Sequence, residues 1–187
     1  MLKLILGMTF LLIVGPAWAT EAGWALLRNG GQVVLMRHAN APGVTSQSDP
    51  VDAARGDCAG GRSLSDRGRQ QARRIGALFA ARAAPVDEVL SSRYCRCLDT
   101  ARIAFGSGIV TEFPALDPLN APGGSKDRQT AETMERIRAF HGYGNLVLVT
   151  DVDNIAALTG ASAREGEMLI VRPEGEGLHV AAHIVFN

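Results

Sequence analysis

Arg37 and His38 stand within the stretch Gln32–Asn40, QVVLMRHAN, where the apolar run Val33-Val34-Leu35-Met36 stops abruptly at a guanidinium and an imidazole. Such a run between turn signals reads as a buried strand, and ligands of open α/β sheets bind beyond the carboxyl ends of the strands. A guanidinium offers forked donors to an anion, and a neutral imidazole can attack one. Two further apolar runs end in the same way. The first reaches Ser91-Ser92 with Arg96 just beyond, and the second reaches Thr150-Asp151 followed by Asn154. Three polar strand ends point to chemistry on an anion at one edge of a sheet.

Regular elements must carry those ends. Trp24, Leu26 and Leu27 suit a short helix over Ala22–Arg28, and Asn29-Gly30-Gly31 closes it before the Gln32–Met36 strand. Residues 40–63 are rich in Gly, Pro, Ser and Asp and carry no apolar period, so they read as a loop leaving directly from His38. Ser65 then caps a helix whose apolar face, Ala72, Ile75, Leu78 and Phe79, runs to about Ala81. Val86–Ser91 is a second strand. The helix Arg93–Phe105 opens at its end, which places Arg96 in a first turn where free amides and the helix dipole suit an anion. Ile109–Phe113 is a short strand, Pro114–Ser125 a loop, Lys126–His141 a helix, Asn145–Thr150 a strand, and Asn154–Thr159 a short helix stopped by Gly160. Glu167–Arg172 and Leu178–Phe186 form a closing hairpin turned at Glu174-Gly175-Glu176-Gly177. Strands alternating with helices predict an α/β three-layer sandwich: a mostly parallel sheet with helices on both faces and the hairpin antiparallel at an edge.

Composition narrows the setting. Lys3, the apolar run Leu4–Val14, Gly15-Pro16 and Ala17-Trp18-Ala19 describe a secretory signal peptide, with an apolar core too short to span a bilayer. Removing residues 1–19 from 187 leaves 168, residues 20–187, which is enough for one domain in the periplasm or outside the cell. Losing Lys3 takes the basic count from 19 to 18 against 19 acids, so no global field points to nucleic acid, and stable membrane insertion is not expected once the leader is gone. Cys58, Cys95 and Cys97 allow one disulfide and one leftover thiol in an oxidising compartment. Cys95-x-Cys97 is not a usual zinc spacing, and no metal or cofactor is expected. Two cysteines two apart near a helix start point in different directions, so Cys58 pairs with one of them, Cys95 slightly preferred.

Four ordered motifs, LMRHA at 35–39, RSLSDRGRQQA at 62–72, VLSSRYCRCLDTA at 89–101 and LVLVTDVDNIAALTG at 146–160, together resemble the histidine phosphatase superfamily, whose fold is like that of phosphoglycerate mutase. The chain looks closest to small exported members, including those similar to lipopolysaccharide core heptose phosphate phosphatases. The resemblance implies a small phosphorylated substrate, possible sugar phosphates among them, with hydrolysis through a phosphohistidine. His38 would be the nucleophile and Arg37 and Arg96 the phosphate clamp; Arg62 is either a third cation or a surface arginine. Asp117 in PALDP would be the proton donor to the leaving oxygen, with Glu112 as runner-up. Two positions depart from the family pattern. Ala39 stands where Arg-His-Gly is usual, and Asp151 stands where a second histidine would donate to the bound phosphoryl group. An ionised Asp151 repels that group; being protonated, pairing with Arg37 or Arg96, or holding a cation would each relieve the repulsion. The resemblance thus implies an atypical phosphatase or a non-catalytic phosphate-binding relative.

Overall fold

The strands that end in polar residues are neighbours in one sheet. A computed structural model describes residues 16–41, 58, 64–120 and 124–186. Its elements are α1 (Pro16–Asn29), β1 (Val33–Arg37), α2 (Asp66–Ala81), β2 (Val86–Ser91), α3 (Cys95–Phe105), β3 (Val110–Glu112), α4 (Lys126–Arg138), β4 (Asn145–Thr150), α5 (Val152–Thr159), β5 (Met168–Glu174) and β6 (Gly177–Ile184). The six strands lie in the order β3-β2-β4-β1-β5-β6. β1, β2, β3 and β4 pair in parallel, while the β5–β6 hairpin is antiparallel and joins through β1. The α/β sandwich expected from the sequence is therefore the fold found.

Side chains of successive strand residues point to opposite faces, so each central strand feeds two cores. On one side Val34, Met36, Val147 and Val149 pack with Trp24 and Leu27 of α1, Ile75 and Phe79 of α2, and Cys97 and Ala101 of α3. On the other side Val33, Leu35, Leu146 and Leu148 pack with Met134 and Ile137 of α4 and Ile155 and Leu158 of α5. With both faces covered, the free rim at the carboxyl ends of β1, β2 and β4 is where polar chemistry fits.

The differences from the sequence reading are local. α1 starts at Pro16, upstream of the expected Ala22, and α4 ends at Arg138 rather than His141, with Ala139 as its cap. α5 starts at Val152, two residues early, which makes Asp151 its N-cap residue. Ser65 caps α2 as expected, accepting from the Gly68 amide at 2.9 Å. Cys58 pairs with Cys95, with Cα atoms 5.3 Å apart, and Cys97 is buried and free. No helix among the described residues is long and apolar enough to cross a membrane.

Gly68 explains why α2 opens as it does. A Cβ at Gly68 would collide with the carbonyl oxygen of Asn40, two residues beyond His38, so glycine lets the first turn of α2 press on the backbone leaving the site. The Ser65 hydroxyl reinforces this contact by donating to Asn40 Oδ1 at 2.5 Å. Gly68→Ala must move backbone against backbone, and we predict a loss of about 1–3 kcal/mol in denaturant unfolding. Gly108→Ala, where a Cβ meets nothing within 4 Å, should change stability by less than about 0.5 kcal/mol.

Candidate active site

β1 delivers His38 with its backbone held on both sides. Its amide donates to Thr150 O at 3.1 Å, and its carbonyl accepts from Gly166 N at 2.9 Å. The ring is 4 % exposed. Nδ1 lies 2.8 Å from Ala39 O. A carbonyl can only accept, so Nδ1 carries the hydrogen and the neutral ring keeps its lone pair on Nε2. Burial pushes the imidazole's proton affinity below the ordinary histidine value; Asp151 and the Ala39 carbonyl act against this, and the Arg96 and Arg37 charges add to it. The result is a buried, neutral, oriented imidazole, the form that can attack an electrophile.

Ala39 fits without strain. Among the described non-glycine residues only Ala83 has a positive φ, so Ala39 does not need the backbone reserved for glycine. Its amide donates to Thr100 Oγ1 at 3.0 Å, and its methyl packs with Ala41, Leu64 and Ala72.

Arg96, in the first turn of α3, meets Asp151 at the start of α5. Nε donates to Oδ1 at 2.7 Å and Nη2 to Oδ2 at 2.8 Å, with the two residues 1 % and 5 % exposed. Asp151 makes no capping bond to its own helix. Its Oδ1 instead lies 3.4 Å from His38 Nε2. Of the three ways for Asp151 to shed its repulsion, pairing with Arg96 is the one found. The carboxylate sits beside His38 Nε2, against forked donors that an oxyanion could use.

Arg37 is anchored differently. Nη1 donates to Ala163 O at 3.0 Å, while its buried Nε has no partner among the described residues. A buried unpaired donor is uncommon, and a ligand oxygen would satisfy it. Contacts join His38, Arg96 and Asp151, and the Arg37 charge acts on His38 through space.

Asp117 is buried at the same rim, but its carboxylate is already engaged. Oδ1 accepts from Ser92 Oγ at 3.0 Å and from the Arg93 amide at 2.8 Å, and Oδ2 accepts from Arg93 Nε at 2.8 Å and Nη2 at 2.6 Å. In this state it fixes Arg93 rather than offering a proton. Glu112 pairs at 3.4 Å with Arg102 on the outer edge. Arg62 lies outside the described residues. The sequence reading missed two participants, Arg93 and the bracing role of Asn154. Asn154 Nδ2 lies within 2.7–2.9 Å of Leu116 O, Asp117 O and Thr150 Oγ1, tying the turn that holds Asp117 to the end of β4. The signal for Arg93 was its place directly after Ser91-Ser92, with an acid in PALDP to receive it.

Comparison with known proteins agrees with the fold. The model of the histidine phosphatase superfamily (branch 1) matches residues 33–120. No curated protein sequence matches the chain. Among solved structures, a candidate alpha-ribazole-5'-P phosphatase from Escherichia coli K-12 is similar, with TM-score 0.60 and 17 % identity over 84 % of this chain and 97 % of that one. The protein histidine phosphatase SixA complexed with tungstate is similar with TM-score 0.55 and 16 % identity over 82 % and 96 %. A phosphoserine phosphatase variant from Entamoeba histolytica in complex with phosphoserine has TM-score 0.56 and 12 % identity over 81 % and 95 %. At these identities the likeness is one of fold, the phosphoglycerate mutase-like sandwich.

The state of His38 is directly measurable. Its ring resonances should titrate with a midpoint below that of an ordinary histidine, about 6.5, in an NMR pH series. Because the folded ring binds its proton more weakly than the unfolded one, stability is full above that range. It falls as pH drops through it, because the unfolded chain is protonated first. His38→Ala should flatten this acid loss.

Proposed function

We propose that this chain is a member of the histidine phosphatase superfamily that binds small phosphorylated compounds and hydrolyses phosphomonoesters through a phosphohistidine on His38. Turnover is slow because Asp151 holds Arg96. The observation that carries the reading is the buried imidazole with its hydrogen on Nδ1 and its lone pair on Nε2, together with the buried, unpartnered Nε of Arg37. Nε2 attacks phosphorus as the ester oxygen departs and takes a proton; water then attacks the phosphohistidine, releasing phosphate and restoring the ring. Arg37, and Arg96 once it leaves Asp151, meet the nonbridging oxygens in forked geometry. Asp117 serves as the donor to the departing oxygen only if Arg93 releases it. Similarly folded proteins have been solved with tungstate and with phosphoserine, which is in keeping with an anion-binding role for a chain of this fold.

Finer features rest on the sequence. The Asp57-Cys58, Cys95-Arg96-Cys97 and Asn154–Gly160 elements resemble exported heptose phosphate phosphatases, so a sugar phosphate is the substrate class we propose. Export with cleavage after Ala19, to the periplasm or beyond, is consistent with the Cys58–Cys95 disulfide, since such bonds persist in oxidising compartments. The buried Arg96–Asp151 pair favours a second reading, a relative that binds phosphate without turnover.

Asp151→His separates the two. It removes the competitor for Arg96 and places a donor beside the phosphoryl group. A bare like charge about 4 Å away in an effective dielectric near 20 costs roughly three decades; Arg96 offsets part of this, so kcat/KM for an aryl phosphate should rise about 10- to 100-fold. His38→Ala in that background should abolish the gain. If neither wild type nor Asp151→His releases phosphate above the His38→Ala control, yet both bind a sugar phosphate, the binding reading stands instead.

A further inference from the structure

We propose that anion binding at this site takes up one proton, on Asp151, turning the carboxylate that holds Arg96 into a neutral carboxyl that donates to a nonbridging phosphoryl oxygen. The inference rests on the phosphate-site reading above and adds a property that reading does not require. Asp151 fills the fork that Arg96 presents through Nε and Nη2. A phosphoryl group seated for attack by His38 Nε2 lies next to Asp151 Oδ1, because that oxygen is only 3.4 Å from the attacking nitrogen. Two anions then lie side by side in a buried space, within reach of the same guanidinium. The imidazole cannot relieve them, since its Nδ1 hydrogen is given to Ala39 O and Nε2 must stay unprotonated to attack.

A carboxylate left charged about 4 Å from a dianion costs about three decades per charge at an effective dielectric near 20, offset in part by Arg96 and Arg37. A neutral carboxyl removes that repulsion, and the freed fork of Arg96 turns to the anion. Geometry also assigns the proton's use. Attack and departure are in line, so a carboxyl beside Nε2 lies alongside phosphorus rather than beyond it. It serves a nonbridging oxygen, not the leaving one.

The charged and titratable groups around Asp151 leave it as the acceptor. From β1 come His38 and Arg37, and from α3 come Arg96 and the buried Cys97 thiol, whose own proton burial holds tightly. Tyr94 at the start of α3 is likewise held protonated by burial. Asp117 is occupied by Arg93 and Ser92. In the loop beside Arg37, Glu165 accepts from Asn40 and Glu167 from the Arg164 amide, with His183 at 2.8 Å from Glu167. Asp153, one residue into α5, is exposed.

Tungstate, a dianion throughout the range from about pH 7 to 9, tests this by titration calorimetry in buffers of different ionisation enthalpy. The intact protein should take up close to one proton per tungstate, with affinity falling about tenfold per pH unit. Asp151→Asn should bind with no uptake and little pH dependence, while His38→Ala should keep the uptake. Binding by the intact protein without proton uptake overturns the inference and leaves the phosphate site standing. So does an uptake that survives Asp151→Asn and vanishes in His38→Ala, since the imidazole would then be the acceptor. No tungstate binding by any form overturns both readings.

Discussion

The buried ion pair between Arg96 and Asp151 decides what this site can do. Both side chains are nearly inaccessible, and both oxygens of the carboxylate are met by guanidinium donors. Removing one partner of such a pair strands the other charge in the interior, at a cost of about 3–5 kcal/mol, so the pair is hard to abandon by mutation. It is easier to exchange than to delete. An oxyanion offers Arg96 the same forked geometry as the carboxylate, so a ligand can replace Asp151 without leaving the arginine bare. The pair thus braces the start of α3 against the start of α5 and sets the threshold a ligand must cross.

The fold supplies the other constraints. β2, β4 and β1 are adjacent and parallel, so their carboxyl ends release α3 with Arg96, α5 with Asp151, and the turn with Arg37 and His38 toward one rim. Burial of the helices on both faces keeps those three points fixed relative to one another. The neutral state of His38 follows from the same packing, because desolvation outweighs the nearby carboxylate. Asp117 and Arg93 form a second charge pair at the rim, braced by Asn154. A reaction that uses Asp117 as a proton donor must open that pair, just as an anion that takes the same fork of Arg96 must open the first.

Much of this was legible in the residues. β2 and β4 have the bounds read from the sequence, Val86–Ser91 and Asn145–Thr150, and Ser65 caps α2 as the sequence announces. Arg37, His38, Arg96 and Asp151 stand out because each follows an apolar run that had to be a buried strand. What the residues left open were pairings across long separations. That Asp151 would choose Arg96 over Arg37 depends on α5 beginning two residues early, which turns the carboxylate inward from the cap position. Whether Asp117 is free to face His38 depends on Arg93, whose side chain reads as an ordinary surface cation until the turn at Pro114–Leu116 brings the acid to it. Ala39 looked like a backbone problem only by analogy with a glycine.

The most direct test of the competition between Asp151 and a ligand is a crystal structure of the protein with tungstate bound. Tungstate should lie within reach of His38 Nε2, with Nε and Nη2 of Arg96 on its oxygens and Asp151 parted from the guanidinium. An anion held elsewhere, or one seated at His38 while the Arg96–Asp151 pair stays closed, would contradict the account.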